Sequence, residues 1–427
     1  MNSSETSDLA SGRQQHLEQT ATVALAVGRI LMETGARSSV VKTGMRKIAT
    51  GLAATSSHSR IGYASISLTV SQGQTTITRM LGVEQHRVDM RLNHAVRDLC
   101  TEAERGGMSP QDISTAIDSL TEKTRHHHRL VIAVGAGVAC AAFGRLLGTD
   151  WASVAPIFAA STIAQVVRMA LVARETNVFV LIAIVAFLAS AIAGLGAIWA
   201  GSETLGIAMT AAVLLLVPGV PSMNAQTDIM EGFPTLGSAR FVTVAMILIF
   251  ITVGMGAARM IVAPGLDSLL APPASVVHQA VFGGLAAAGF GLMFNFGFVT
   301  LIWATIAGGI ALAVRTVGLE LDWSLEAASF IAAMAVALSV ELLGARLLRV
   351  PHAGQTLALA GCIPMVPGGA AAQCITGLFE ISTLDPVEAQ IALVGSASAG
   401  LEVLFTLGAI GAGLTIVWSL APRREFP

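Results

Sequence analysis

The sequence predicts an α-helical polytopic membrane protein with about ten transmembrane helices in a 5+5 inverted repeat, preceded by a small α+β cytoplasmic domain. First, 54% of the 427 residues are hydrophobic and 12% are charged, with a mean hydropathy of +0.71; soluble domains carry about 25% charged residues. Second, the charged residues are concentrated near the N-terminus. Third, a short motif recurs in two corresponding apolar stretches. The formal net charge of −2 excludes an electrostatic nucleic-acid binder.

The distribution of charge divides the chain at about residue 128. Residues 1–128 hold 26 of the charged side chains, about 20% of that stretch, and the rest of the chain holds the same number, about 9%. The first 20 residues lack the apolar region of a secretory signal. We therefore expect domain 1–128 to stay in the cytoplasm.

This N-terminal domain combines two hydrophobic periods. Apolar residues recur at helical spacing near its start and end, whereas the residues from Ile61 alternate as strands do. Gly35 and Gly73 mark turns, and Ser109-Pro110 is a helix start signal. The domain carries no Gly-rich phosphate loop, HExxH or GxSxG motif, so we expect a regulatory or assembly domain and not an enzyme. We predict four helices and two strands, over 17–33, 40–52, 61–69, 75–80, 87–106 and 112–126.

Cysteine and histidine indicate neither a metal site nor a cofactor. No cysteines form a CxxC pair, and three of the four lie in apolar segments, as small buried hydrophobic residues do. The adjacent histidines 126–128 are either metal ligands or a polar belt at the headgroup boundary, and the second interpretation is favoured. The cysteines are Cys100, Cys140, Cys362 and Cys374.

Beyond Arg129 the chain contains ten apolar stretches, each of the order of 20 residues, long enough to cross a bilayer. They form a first half over 129–262 and a second half over 277–420, and the segment 267–275 is the predicted joint. The stretches are 130–147, 151–171, 177–199, 205–225, 241–262, 277–295, 298–314, 325–344, 356–376 and 389–420.

The arginines beside these stretches predict that both termini are cytoplasmic. Three would be external, namely Arg145, Arg259 and Arg315. Seven would be cytoplasmic, namely Arg168, Arg174, Arg240, Arg346, Arg349, Arg423 and Arg424.

The two halves share a repeated pattern. The Val-Pro-Gly sequence at 217–219 recurs 149 residues later at 366–368, and Arg168 has a counterpart in Arg315, 147 residues later. With five spans in each half, the second half enters the bilayer from the opposite side, so the repeats are inverted. That architecture is typical of secondary transporters.

The Pro-Gly pairs are predicted to interrupt helices within the membrane. About 13 apolar residues precede each pair and cover roughly 20 Å of a 30 Å hydrocarbon core. Backbone groups freed at that depth are tolerated only against protein or a watered cavity. Freed backbone groups beside amide side chains would suit a zwitterionic amino acid as the substrate. Alternatively, the Pro-Gly pairs only end helices at loops. The candidate substrate ligands are Pro218, Gly219, Asn224, Gln226, Asp228, Pro367, Gly368 and Gln373.

Two acidic residues are candidates for proton coupling, because a carboxylate in lipid is costly and usually functional. Glu402 lies within the last stretch, with Ser398 and Thr406 one turn away on either side. Glu341 is the second candidate, although it could simply reach the interface.

A polar pathway is a further prediction. Gln165 and Arg168 share one face of the second stretch, and Arg240 is the other deep arginine. Arg168 could instead extend to lipid headgroups, which is the favoured interpretation.

The order of these motifs resembles the threonine/serine exporter family. Residues 33–36 (Glu-Thr-Gly-Ala) lie in the N-terminal domain, residues 216–221 (Leu-Val-Pro-Gly-Val-Pro) precede Asn224 and the Ser-Ala-Arg at 238–240, and 366–368 lie in the second half. The resemblance extends over about 17–420. It implies site residues at Pro218, Gly219, Asn224, Pro367 and Gly368.

The resemblance also implies a bacterial inner-membrane carrier that exports L-threonine and L-serine, driven by the proton motive force. Its partners would be the substrate, protons and the lipid bilayer, without nucleic acid; the oligomeric state stays open, a homo-oligomer included. Similar proteins split into two chains are associated with succinate export, so export of small dicarboxylates is the alternative. The scarcity of deep arginines disfavours it.

Overall fold

The computed structural model describes residues 3–84, 87–262, 275–342, 353–381 and 384–420. Within these residues the chain forms two compact units. Unit 1 contains Met1–His126 together with a second segment, Asn224–Arg240, and unit 2 contains His127–Met223 and Phe241–Leu420. Residues 267–274 of the predicted joint between the halves lie outside the described residues, as do Arg346, Arg349, Arg423 and Arg424.

Unit 1 is an α+β domain in which four helices accompany one antiparallel sheet. The strands are ordered β1-β2-β3. In β2, residues Ile66, Leu68 and Val70 are buried because alternate side chains point to one face of a sheet. The elements are α1 (Ser3–Glu33), α2 (Ser38–Gly51), β1 (Ser56–Ile61), β2 (Ser65–Gln72), β3 (Thr75–Gly82), α3 (Met90–Glu104) and α4 (Pro110–Lys123).

Strand β1 was not predicted. Its sequence, Ser-Ser-His-Ser-Arg-Ile, is almost entirely polar, and it is a strand because it pairs with β2 from Ser56↔Ser71 to Ile61↔Ile66. The predicted start of α4 is confirmed, since Ser109 caps the helix and forms a reciprocal capping box with Asp112.

Unit 2 is entirely helical in its described part, and it confirms a polytopic helical membrane protein. Among the described residues, eight helices are long and apolar enough to cross a membrane, or nine if the bent pair Leu205–Leu216 and Gly219–Met230 is one span. Ten spans therefore remain a prediction. The eight are α5 (Arg129–Leu146), α6 (Val154–Val172), α7 (Val178–Trp199), α10 (Pro234–Val262), α11 (Val276–Met293), α12 (Phe298–Glu320), α13 (Leu325–Ser339, the span continuing to Leu342) and α16 (Pro386–Leu420).

The shorter helices of this region come in two pairs. The fourth predicted stretch contains α8 (Leu205–Val213) and α9 (Gly219–Met230), and the ninth contains α14 (Ala353–Cys362) and α15 (Gly368–Glu380). Helix α9 runs past residue 223, so its last turns belong to unit 1.

Small residues let the helices of unit 2 approach closely. A Cβ on Gly283 of α11 would lie 2.8 Å from the carbonyl oxygen of Gly308 in α12, so no larger side chain fits there. On α7, Ala189, Ala193 and Ala197 are fully buried at a spacing of four residues. Such stripes are typical of helix contacts in membranes, where close backbone approach replaces the hydrophobic effect.

Candidate functional site

The first helix break follows from its local sequence. After α8, residues Leu214–Leu216 form one turn of 3-10 helix, and α9 begins at Gly219 with a bend of 60°. Val217 is extended, with φ −61° and ψ 106°, because a residue that precedes proline is kept out of the α region. Pro218 has no N–H with which to continue the helix.

The second break has the same backbone. Residues Ile363–Met365 form the 3-10 turn, and Val366 before Pro367 has φ −62° and ψ 124°. Val366 N donates to Ile363 O at 3.0 Å, and Gly368 N donates to Val366 O at 2.8 Å. The first break has these two bonds 149 positions earlier, at 3.2 Å and 2.6 Å. The repeated motif therefore builds the same structure twice.

The two breaks lie against each other in unit 2. A Cβ on Gly219 would lie 3.6 Å from Ile363 Cγ2, and a Cβ on Gly368 would lie 3.0 Å from Leu214 Cδ2. Leu214 corresponds to Ile363 in the repeat, and Gly219 corresponds to Gly368. The contact is therefore reciprocal, which brings both Pro-Gly pairs to one place.

Helix α6 carries polar side chains near the first helix break. The hydroxyl of Ser161 donates to Ala212 O at 3.2 Å. One turn further, Gln165 is buried, and its Oε1 has no hydrogen-bond partner among the described residues. Arg168 is half-buried and has no hydrogen bond or ion pair with any residue in the described ranges. Helix α6, which contacts the residues just before the break, thus carries these polar groups.

Arg315 forms a hydrogen bond to the second helix break. Its Nη1 donates to Met365 O, the last carbonyl of the 3-10 turn, at 3.2 Å. The distribution of arginines predicts that Arg315 is external, and its offset of 147 residues from Arg168 is the sequence feature that relates it to the second half of the repeat.

Glu402 and the two polar residues one turn away from it differ in burial. Glu402 is half-buried and Ser398 is exposed. Thr406 is fully buried, and its hydroxyl has no hydrogen-bond partner in the described part of the chain. Glu341 is half-buried just beyond α13, and the Gln373 side chain on α15 is exposed.

Four other predicted residues have partners within unit 1. Asn224 Nδ2 donates to Gly35 O at 3.0 Å, and the amide of Ser38 donates to Asp228 Oδ1 at 2.9 Å. Arg240 donates to Asp228 Oδ2 at 2.5 Å and to Ala36 O at 3.2 Å. The fourth, Gln226, is half-buried, and its amide donates to the sulfur of Met230 at 3.9 Å.

A second ion pair joins the segment Asn224–Arg240 to the turn at Gly35–Ser38. Arg37 lies 2.6 Å from Glu231. Burial lowers the pKa of Arg37, while the charges of Glu231 and Asp228 oppose that shift. The turn that receives the segment needs a glycine, because Gly35 has φ +91°. The Glu-Thr-Gly-Ala motif thus builds the acceptor for Asn224–Arg240.

The histidine and cysteine groups are dispersed. His126 lies 3.2 Å from Asp89 in unit 1, whereas His127 Nε2 contacts Phe296 O at 2.8 Å in unit 2. Burial raises the pKa of the Cys100 thiol to about 12, against the nearby charges of Lys47 and Arg97. Across the described ranges, no three side chains of the metal-ligating kind gather.

Comparisons with known proteins cover both halves of the chain. The family model described as "Putative threonine/serine exporter" matches residues 22–262, and the one described as "Threonine/Serine exporter, ThrE" matches 279–420. A "Probable succinate transporter subunit YjjP" of Klebsiella aerogenes is 29% identical over 241 residues, 56% of this chain and 93% of that protein. Its namesake in Escherichia coli K12 is 28% identical over the same shares. No solved structure matches the chain.

Proposed function

Because this chain belongs to the threonine/serine exporter family, we propose that it exports L-threonine and L-serine from the cytoplasm in exchange for protons. The family is one of transporters, and the eight apolar helices make the chain a multi-pass membrane protein. The bacterial inner membrane, with both termini cytoplasmic, is the location that such a proton-driven exporter requires.

The reciprocal contact between the two helix breaks is the observation that supports this function. Interrupted helices whose breaks meet provide backbone donors and acceptors at one place, and two related halves can rock about such a place. An inverted 5+5 repeat would expose it alternately to the two sides of the membrane. Pro218, Gly219, Pro367 and Gly368 are accordingly the proposed centre of the substrate site, with Gln373 following on α15.

The other proposed ligands would have to change partners. Asn224 and Asp228 bind backbone groups of the Gly35–Ser38 turn, and Gln226 lies between them. A substrate that used these side chains would compete with the docking of Asn224–Arg240. The substrate therefore meets the Pro-Gly pairs first in this proposal.

Proton coupling is assigned to Glu402, with Glu341 as the second candidate. A half-buried carboxylate on a membrane helix can hold a proton in one state and release it in another. Gln165 and Arg168, which lack partners within the described ranges, form the proposed polar pathway together with Ser398, Thr406 and Arg240.

Export of small dicarboxylates is the second candidate function. The relatives that match the first half of the chain are named succinate transporter subunits. Arg168 and Arg315, one beside each break, would supply two positive charges for two carboxylates.

Efflux from proteoliposomes tests both proposals. The full chain is reconstituted, loaded with labelled L-threonine, L-serine or succinate, and given an inward proton gradient. We expect a tenfold proton gradient to drive threonine and serine out against a concentration ratio of up to about tenfold for each exchanged proton, because such a gradient contributes about 1.4 kcal/mol. Liposomes without protein are the control. Movement of succinate alone would replace the first proposal by the second, and movement of none would contradict both.

A further inference from the structure

We propose that the helix pair α5 and α11, one helix from each half of the membrane body, opens at one end only when it is protonated. At that end His278 is a hydrogen-bond acceptor, whereas His127 closes the other end as a donor. The inference goes beyond the proposed function, because it concerns the proton and the two halves and does not depend on which substrate is carried.

Helices α5 and α11 lie antiparallel along each other. Near the start of α5, a Cβ on Gly135 would lie 2.9 Å from Leu292 Cβ near the end of α11. Near the end of α5, Leu146 O accepts a hydrogen bond from Gln279 Nε2 at 3.4 Å. Both helices are long and apolar enough to cross a membrane, so the two ends of the pair face its opposite sides.

The first end is closed by a contact between Arg145 and His278. Arg145 Nη2 lies 3.1 Å from His278 Nε2. A guanidinium group has donors and no acceptor, so His278 Nε2 has to accept and the imidazole has to be neutral. Its proton is then on Nδ1, which is buried and has no hydrogen-bond partner among the described residues. A second proton would place an imidazolium against the guanidinium, with no acceptor for it in the described part of the chain.

Other contacts hold the two groups in place. Arg145 Nη1 donates to Thr149 O, and Arg145 Cζ lies 4.2 Å from the centre of the Trp151 ring. The rings of His278 and Phe282 have centroids 4.5 Å apart. Each group is thus fixed by neighbours on its own side of the contact. Repulsion between them would therefore act on α5 and α11 themselves.

Few other charges surround His278. The main elements packed against α11 are α5, α12, α14 and the 3-10 turn Ile363–Met365. Arg315 on α12 donates to Met365 O. In the loop after α5, Asp150 accepts from the amides of Ser153 and Glu203 at 2.9 Å and 2.8 Å. Within the described ranges, Arg145 is the charged group that hydrogen-bonds His278. The titratable or charged side chains of the four elements are Arg129, Cys140, Arg145, Arg315, Glu320 and Cys362.

The second end is closed by a histidine of the opposite role. His127 Nε2 lies 2.8 Å from Phe296 O, and the amide of His127 donates to Asn295 Oδ1 at 3.3 Å. A carbonyl oxygen can only accept, so His127 Nε2 has to carry a proton. A protonated imidazole donates at both nitrogens, so this bond survives in acid. The same change of pH therefore breaks the contact at one end and keeps the contact at the other.

Such an asymmetric response suits a carrier with alternating access, in which one side opens while the other stays closed. The distribution of arginines predicts that Arg145 is external. The end that opens in acid would then be the side from which protons enter in the proposed exchange.

Spin-label pairs in the full chain test the proposal by electron paramagnetic resonance. One pair is attached through Leu147→Cys and Val277→Cys at the His278 end, and the other through Leu130→Cys and Met293→Cys at the His127 end. The chain also carries Cys374→Ser, since the other three cysteines are buried. When the pH is lowered from about 8 to about 4.5, a range that includes the ordinary titration of histidine, the first pair should separate and the second should not. Because one proton is bound, the ratio of open to closed protein should change by no more than about tenfold per pH unit.

Variants identify the titrating group. In His278→Gln the amide oxygen can accept from Arg145 and does not titrate, so the response to pH should be lost. Arg145→Gln removes the fixed charge and should also lose the response, which provides a second variant if the first does not fold. The matched control is His127→Gln, whose amide can donate to Phe296 O. This control should keep the full response at the His278 end.

Several results would overturn the proposal. They are an unchanged distance in the first pair, separation of both pairs, a steeper dependence on pH, or a full response in His278→Gln or Arg145→Gln. The proposed function fails separately, because the labels report on the protein without any substrate. A chain that opens in acid as described but moves neither threonine nor serine would contradict the proposed function alone.

Discussion

Asp228 is fully buried, and both oxygens of its carboxylate accept hydrogen bonds. One comes from the backbone of Ser38 and the other from Arg240, which is 6% exposed. A buried ion pair adds little net stability, but the loss of one partner leaves the other charge uncompensated. The pair therefore makes docking of the segment depend on two side chains.

Replacing Asp228 by asparagine should release this segment. An unpaired buried charge costs about 3–5 kcal/mol, so hydrogen exchange of the amides in Asn224–Arg240 should accelerate at least about 100-fold. Mass spectrometry of the exchange in detergent measures this. The control is Asp118→Asn, an exposed site on α4. Exchange as slow as in the unmodified protein would contradict the role given to this pair, and Asp228→Asn/Arg240→Met should exchange more slowly than the single variant.

At the scale of elements, the two breaks show how a local motif acquires a tertiary role. Proline and glycine end a helix wherever they occur, but Gly368 also lies where a Cβ would meet Leu214 Cδ2 at 3.0 Å. The counterpart contact, between Gly219 and Ile363, is looser at 3.6 Å. The second glycine is therefore the more constrained of the two.

A larger side chain at the second break should separate the broken helices. We expect Gly368→Val to slow efflux at least about tenfold and to destabilise unit 2 by about 1–3 kcal/mol, the usual cost of overpacking. Gly395→Val on α16 is the control, since a Cβ there has no neighbour within 4 Å. Melting curves and efflux rates are compared. An active, equally stable Gly368→Val protein would show that the breaks need not touch.

At the scale of the whole molecule, the two halves of the membrane body share the Pro-Gly break and pack together. Besides the breaks, α5 of the first half meets α11 of the second, where a Cβ on Gly135 would lie 2.9 Å from Leu292 Cβ. The relatives that match the first half are named subunits, and 93% of their length is covered. We therefore expect the two halves to associate without the covalent joint.

Expressed as two chains, 1–262 and 275–427, the protein should reassemble. A tag on the first chain should recover the second from detergent in about equal amount, because the surfaces that join the halves are preserved. Gly135→Leu should reduce recovery severalfold, since it blocks the approach of α11. Gly256→Leu, where a Cβ has no neighbour within 4 Å, should not. Failure of the halves to copurify would show that the covalent joint holds them together.

Sequence alone determined the features that depend on composition and local chemistry. The low charge and high hydropathy predict the membrane class, and the change of charge near residue 128 predicts a polar domain before it. The Pro-Gly pairs predict interrupted helices, because a missing N–H acts wherever proline stands. Glu402 is likewise identified from local chemistry, because it is a carboxylate within an apolar stretch.

Tertiary structure alone decided which distant residues meet. Asn224 binds Gly35 across 189 positions, and Arg240 binds Ala36 across 204. Strand β1 exists only through its pairing with β2, and Arg315 reaches Met365 from another helix. Hydrophobic periodicity records which side of an element is buried but not what covers it. Burial and hydrogen bonding between such residues depend on the packed fold, so no local pattern could have revealed them.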